Sequence, residues 1–364
     1  MPNRSRARTT LVDVAHASQV SRQTVSNVLN NPQRVSPATL DRVQAEITRL
    51  DFRPNRAARS LRRQRANAIG FQVQSASDRG FASLTDPFLA ALARSAQALD
   101  AQVITFVAEH EDILDTYDKL LSSQVVDGFV LAHTHRDDPR AAWLREQQVP
   151  FVSFGQIWDD PSATSWVDVD GRAGTAAAVA HLREKGYGRI AWLGWPGGSA
   201  VGDDRRAGWL QACAGLRQSP ARLSSETVQN TLAVAGAAGR LLDGLADGDA
   251  VVCVSDVVAL GVSMALAERG LRPGRDIGVI GFDDGDVARA FDLSTVSQPL
   301  PDIADLLVKM LEQADQPTHG TLLTPAVIQR ASTVRSAPLP AVLRSPITQS
   351  VSRRTRATAT RPRR

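Results

Sequence analysis

Short runs rich in β-branched and aromatic residues recur along the middle of the chain: AIGFQV from Ala68, AQVITFV from Ala101, DGFVLA from Asp127, PFVSFG from Pro150, SWVDVD from Ser165, RIAWLG from Arg189, AVVCVS from Ala250 and IGVIGFD from Ile277. Each reads as a strand. Stretches with helical spacing of apolar residues lie between them, at 87–99, 113–123, 172–185, 233–245 and 256–269. Such alternation predicts parallel α/β sheets, and this many strands over about 270 residues suit two subdomains better than one.

Ahead of residue 66 the period changes to helical throughout. Thr10, with Asp13 three positions on, reads as an N-cap, and Val14, Ala15 and Ala17 continue an apolar face. Ser21 opens a second helix in which Val25, Val28 and Leu29 share one face and Arg22, Gln23, Ser26 and Asn27 the other. Ser36-Pro37 starts a third, with Leu40, Val43, Ile47 and Leu50 at 3,4,3 spacing. Two short helices around a tight turn, backed by a third, predict a helix-turn-helix on a small three-helix core.

Charge sharpens this division. The net charge of the 364 residues is only +4, yet residues 1–65 carry 13 Arg against 4 acidic residues, and residues 336–364 carry 7 Arg and no acid. A basic head and a basic tail thus flank an acidic body. No apolar run approaches the ~20 residues of a membrane span, which excludes an integral membrane protein. The start, MPNRSRARTT, has no apolar secretory stretch, and Cys213 and Cys253 are the only cysteines. The expectation is a cytoplasmic protein with no disulfide framework and too few thiols for a cysteine zinc site.

A helix-turn-helix docks the start of its second helix in the major groove of double-stranded DNA. Arg22, Gln23 and Asn27 would then face base edges, Arg suiting guanine and Gln or Asn suiting adenine, at about 1–3 kcal/mol of discrimination each. The bland alternative is a solvated helix face. His133, His135, Asp137 and Asp138 sit close in sequence, but i,i+2 ligands in one loop are weak evidence for a metal. No metal and no cofactor is expected. An enzyme is the main rival from another class, and its motifs are missing: there is no G-x-G-x-x-G after a strand, no G-x-x-x-x-G-K-[ST], no G-x-S-x-G and no H-E-x-x-H. An exported sugar-binding module would explain the body and leave residues 1–65 unexplained.

From Thr10 to Leu61 the chain closely resembles the DNA-binding head of the lactose/galactose repressor family. The resemblance rests on Asp13-Val14-Ala15, Val20-Ser21, Thr24-Val25-Ser26, Val28-Leu29-Asn30, Pro54-Asn55 and Ala58-Arg59-Ser60-Leu61. Gln19 departs from it, because the family's turn usually holds Gly or Asn there, residues suited to a positive φ. The resemblance implies DNA contacts from Ser21, Arg22, Gln23, Thr24, Ser26 and Asn27. It also implies a hinge helix over 55–62 with Asn55, Arg56, Ala58, Arg59 and Leu61 in the minor groove. Eight residues hold no helix alone in water, so the hinge would order only when two copies meet, with Leu61 as a wedge that kinks the duplex; otherwise Leu61 is a packing leucine.

The resemblance continues through the body, implying a periplasmic-binding-protein-like pair of sheets with a ligand cleft between them. The expected plan is a helix-turn-helix domain at 9–53, a hinge at 54–65, an N-subdomain at 66–163 and 297–322, a C-subdomain at 164–296 and 323–337, and a disordered basic tail at 338–364. Residues just after strands are the ligand candidates. Arg205 begins Arg-Arg-Ala-Gly-Trp, similar to the family's effector-binding R-x-x-G-aromatic element. Asp283, in Gly-Phe-Asp-Asp, matches its effector-binding acid. Ser255 stands where an asparagine is usual, and Asp256 reads as the N-cap of the next helix. Trp195 either stacks on a sugar or packs on the rim, and Phe88, in Asp-Pro-Phe, is a further pocket candidate. The alternative for Arg205 and Asp283 is a structural ion pair. Pro150–Gln156 is similar to an FGR element of family members that answer to glucosides, with Gln156 in place of the Arg.

Together these imply a homodimeric repressor of carbohydrate-utilisation genes, released from a pseudo-palindromic operator by a sugar effector. Corepression by the effector is the alternative. The tail lacks the leucine heptads that make some relatives tetramers.

Overall fold

The computed structural model describes residues 9–52, 66–74, 84–216, 219–228, 231–313 and 318–335. In the head, α1 (Leu11–Ala17), α2 (Arg22–Asn30) and α3 (Pro37–Arg49) close on one core of Val14, Ala15, Val25, Val28, Val43 and Phe52, with Leu40, Ile47 and Leu50 packed around it. Thr10 and Asp13 form the expected reciprocal cap: the Asp13 carboxylate accepts the Thr10 N–H at 2.7 Å, and the Thr10 hydroxyl receives the Asp13 N–H. These bonds hold the Asp13 carboxyl below its ordinary range. Gln19 adopts φ +52°, so the turn has the left-handed residue that its position called for, in a side chain poorly suited to it.

The chain divides into two compact units. The first runs from the head through β1 (Ala68–Gln72) and holds Thr85–Asp168 and Leu300–Thr321. Its sheet has the order β11-β5-β4-β3-β1-β2, where β2 is Gln102–Phe106, β3 Gly128–Leu131, β4 Phe151–Phe154, β5 Trp166–Val169 and β11 Gly320–Leu323. Strands β1 to β5 pair in parallel, as continuous apolar runs between helical segments require. The helices are α4 (Thr85–Ala98), α5 (Ile113–Ser122), α6 (Pro139–Glu146) and α12 (Leu300–Glu312), the last packed on α4 and β4. Tyr117, Phe129, Leu131, Leu144 and Phe151 fill the core, with the Tyr117 and Phe129 rings 4.5 Å apart. Two stretches group differently from the boundaries read in the sequence: residues 164–168 go with this first unit, where β5 hydrogen-bonds β4, and residues 297–299 go with the second.

Among the described residues the second unit comprises Val169–Pro299 and residues 322–335. Its sheet, β7-β6-β8-β9, is parallel and is built from β6 (Ile190–Gly194), β7 (Ser224–Glu226), β8 (Ala250–Cys253) and β9 (Gly278–Ile280). Beyond β9, β10 (Thr295–Ser297) joins through parallel bridges at Ile280–Ser294 and Asp283–Ser297, and β12 (Ala326–Ile328) pairs antiparallel with β10. Helices α7 (Gly171–Glu184), α8 (Ala200–Cys213), α9 (Thr231–Leu242), α10 (Asp256–Glu268) and α11 (Asp286–Ala290) complete it. Both cysteines are buried in this unit, and burial pushes the Cys253 thiol up.

Helices α7 and α8 touch backbone to backbone, and this contact orients the helix that carries Arg205. A Cβ built at Gly208 would run into the Arg172 carbonyl, which explains the glycine three positions after Arg205. Gly208→Ala should force the two helices apart and lower stability by about 1–3 kcal/mol, the usual cost of overpacking. Urea melts of the purified protein check this, and an unchanged midpoint would mean that the helices separate freely.

Candidate functional site

In the head, the polar edge of α2 forms one candidate surface. Ser21 caps the helix, its hydroxyl accepting the Thr24 N–H at 3.0 Å and lying 2.9 Å from the Thr24 hydroxyl. That places Arg22 and Gln23 on the first turn, both exposed, with Ser26 and Asn27 half-buried one turn on. The Gln23 amide donates to Asn27 Oδ1 at 3.2 Å, so these two side chains of the polar edge are joined to each other. Asn30 reaches back to the Ser26 carbonyl at 2.8 Å. Helix N-terminal N–H groups and an exposed guanidinium suit phosphates and base acceptors. Asn55, Arg56, Ala58, Arg59 and Leu61 lie outside the described residues.

The second candidate site lies at the strand ends of the second unit. Arg205, on α8 and 6% exposed, lays its guanidinium 3.7 Å from the centre of the Phe282 ring and 6.0 Å from that of Trp195. One terminal nitrogen donates to the Val254 carbonyl at 2.7 Å, and the other pairs with Asp283 Oδ1 at 3.2 Å. The Gln298 amide donates to the same Asp283 oxygen at 2.7 Å. Burial raises the Asp283 carboxyl above its ordinary value, against the pull of Arg205 and Gln298 in the other direction. Asp283 has φ +119° and Asp284 φ +56°, conformations that cost a non-glycine residue about 1–3 kcal/mol each.

The other expected positions fare differently. Ser255 is the N-cap of α10, its hydroxyl accepting the Val258 N–H at 3.4 Å. Asp256, read from the sequence as that cap, is instead the first helical residue, because Ser255 supplies the extended backbone that a cap needs. The Asp256 carboxylate turns inward, accepting the Thr295 hydroxyl at 2.6 Å and the Gly285 N–H at 2.8 Å. Trp195 is half-buried beside Gly202 and Arg205. Phe88, 1% exposed, is held between Phe71 and Phe154, with ring centres 5.6 and 4.6 Å away, as part of the first unit's apolar core. Asp138 caps α6 and is paired with the buried Arg140 at 2.6 Å. No group of three His, Cys, Asp or Glu fit to hold a metal occurs among the described residues.

Sequence reasoning missed Phe282, Gln298 and the Val254 carbonyl. Gln298 directly follows β10, and nothing in a single sequence pairs it with Asp283.

Comparison with known proteins bears on both sites. The family described as "Bacterial regulatory proteins, lacI family" matches residues 10–55, and "Periplasmic binding protein-like domain" matches residues 179–333. The HTH-type transcriptional regulator CelR of Thermobifida fusca is 33% identical over 344 residues, which span 90% of this chain and 99% of that protein. The chain belongs to the lacI family of bacterial regulatory proteins. As a lacI-family member it is a DNA-binding transcription regulator and not an enzyme. Its fold is similar to that of a lac repressor dimer bound to operator and the anti-inducer ONPF, with a TM-score of 0.73 at 26% identity over 90% of this chain and 100% of that one. It is also similar to a CelR–cellobiose complex, with a TM-score of 0.65 at 29% identity over 89% and 100% of the two chains. Among the described residues no helix is long and apolar enough to cross a membrane.

Asp256 gives the second site of this lacI-family chain a pH signature. Burial and the neighbouring Asp283 charge push its carboxyl from 3.8 up to about 7, so the folded protein keeps a proton that the unfolded chain releases. The resulting stabilisation is complete below the ordinary value and is lost as pH rises through about 7. In urea melts between about pH 4 and 8, the wild type should lose stability relative to Asp256→Asn as pH rises. A constant difference would mean that Asp256 titrates normally.

Proposed function

We propose that this regulator is a homodimeric repressor of carbohydrate-utilisation genes, working in the cytoplasm, whose two heads bind a pseudo-palindromic operator and release it when a sugar occupies Arg205 and Asp283. Arg22 and Gln23 read bases. Asn55, Arg56, Ala58, Arg59 and Leu61 form the minor-groove hinge, in which the arginines supply backbone charge. The concentration of 13 Arg in residues 1–65 supports the DNA assignment.

The observation that carries the effector assignment is the Arg205–Asp283 pair, a buried guanidinium against a half-buried carboxylate. A guanidinium offers a planar fork of donors and a carboxylate offers paired acceptors, the complement of vicinal hydroxyls. The ligand can therefore substitute for each partner of the ion pair at once, with Trp195 alongside as an apolar face. The solved CelR complex contains cellobiose, which supports a sugar as the ligand class here. A ligand shifts the equilibrium only through contacts that differ between its two states, and an interaction that must be exchanged for the ligand's is such a contact.

Two substitutions separate the sites. Arg22→Ala should flatten base preference at one position of each half-site in a binding-site selection, and an intact preference would disprove the docking register. Arg205→Ala should leave operator binding in place and weaken the response to sugar. A lost charge-assisted bond of about 1.5–3 kcal/mol is roughly a ten- to hundredfold loss of affinity. Fluorescence anisotropy of an operator duplex, titrated with cellobiose, lactose, maltose and raffinose, measures both. Release by a sugar identifies induction, tighter binding identifies corepression, and an unaltered sugar response in Arg205→Ala removes that residue from the site.

A further inference from the structure

We propose that Thr295 and Asp256 are positioning residues for the ligand-binding carboxylate: they touch no ligand and act by holding the left-handed turn that presents Asp283. The proposal rests on the assignment of Asp283 to the effector.

The turn is Asp283-Asp284-Gly285, and its first two residues take backbone conformations that L side chains rarely adopt, φ +119° and +56°. Such a turn persists only where its surroundings over-determine it. Its three successive N–H groups are all engaged. Asp283 N–H goes to the Val296 carbonyl at 2.8 Å, Asp284 N–H to the Thr295 hydroxyl oxygen at 3.3 Å and Gly285 N–H to Asp256 Oδ2 at 2.8 Å. Two of these three acceptors are side chains brought in from α10 and β10, and the two are bonded to each other, Thr295 O–H to Asp256 Oδ1 at 2.6 Å.

The Thr295 hydroxyl therefore does two jobs at once, donating to Asp256 and accepting from the turn. Neither side chain is open to a ligand, Thr295 being 0% and Asp256 1% exposed. Room for the arrangement comes from Gly281, where a Cβ would strike Asp256 Oδ1. That gives the Gly in Gly-Phe-Asp-Asp a physical reason. From the far side, Arg330 binds Asp284 Oδ1 at 2.6 Å and the Leu293 carbonyl at 2.9 Å, so the Asp284 side chain is tied to the chain's exit segment. Asp284 is thereby engaged elsewhere, leaving its neighbour Asp283 to face Arg205 and Gln298.

A role confined to stability predicts that losing the Thr295 hydroxyl lowers the melting temperature and leaves the geometry and affinity of the site alone. Positioning predicts more. Thr295→Val keeps the shape and removes the hydroxyl, while Thr295→Ser restores it. In ligand-free crystal structures, Asp283 should leave its positive φ and its pairing distance to Arg205 in Thr295→Val, and should keep both in Thr295→Ser. Calorimetric titration of the full-length protein with cellobiose, lactose, maltose and raffinose should show about tenfold weaker binding or worse in Thr295→Val for whichever sugar the wild type binds, with Thr295→Ser near wild type. If Thr295→Val does not fold, Asp256→Ala, which removes the acceptor of both the Gly285 N–H and the Thr295 hydroxyl, takes its place in both arms. An undisturbed turn in the structures, or a lowered melting temperature with wild-type sugar affinity, overturns the proposal. Failure of the wild type to bind any of the four sugars, together with a displaced turn in Thr295→Val, would instead fault the sugar assignment and leave the brace standing.

Discussion

The second unit is organised around one electrostatic requirement, that the Arg205 guanidinium and the Asp283 carboxylate stay together once removed from water. Taking either ion into the protein costs several kcal/mol, and the attraction between them offsets that cost only when the remaining donors and acceptors are satisfied. Here the Val254 carbonyl, the Gln298 amide and the face of Phe282 supply most of those contacts, and Arg205 Nε is left buried with no hydrogen-bond partner among the described residues. The chain just past β8, β9 and β10 must therefore converge on one point, and α8 must lie close enough to α7 for Gly208 to meet the Arg172 carbonyl. Packing and charge impose the same arrangement from opposite sides.

Much of this was legible in the sequence for reasons that can be named. The strands β1, β3, β4, β6, β8 and β9 are continuous runs of β-branched and aromatic residues because both faces of a parallel sheet are covered, whereas β2 and β5, partly exposed, were legible from their β-branched and aromatic content alone. The head's helices were legible because each begins at a Ser or Thr and buries a stripe of Val, Leu and Ile. Helix α8 was not, since Gly202, Gly208 and a run of charges give it no apolar stripe, and what it buries includes Arg205 itself. Strands β7 and β11 escaped because they are short and half-exposed, with Ser, Thr and Glu among their residues.

The site shows the same division. Arg205 and Asp283 could be found because Arg-Arg-Ala-Gly-Trp and Gly-Phe-Asp-Asp resemble effector-binding elements of the family. Gln298, Phe282 and Thr295 could not, because their roles are set by distances across the sheet. Asp256 was assigned to the wrong task. Its position before a helix suggested a cap, yet a serine one residue earlier satisfied the helix, and the carboxylate was left for the turn at Gly285. Local capping rules rank residues along the chain, and they carry no information on what approaches from another strand.

The bond between Gln23 and Asn27 bears on how this protein can be said to have a recognition sequence at all. The Gln23 amide places one of its two N–H donors on Asn27, so in the proposed base-reading role the two side chains would not act independently. They would present a joint pattern, and breaking that pattern to suit one base would alter what the other side chain offers. Under the proposed docking, base preferences beneath these two residues would be coupled as properties of a dinucleotide. A description of the operator as a row of separate columns, each with its own weights, omits the term that couples them, and its error is largest where both bases depart together from the preferred pair.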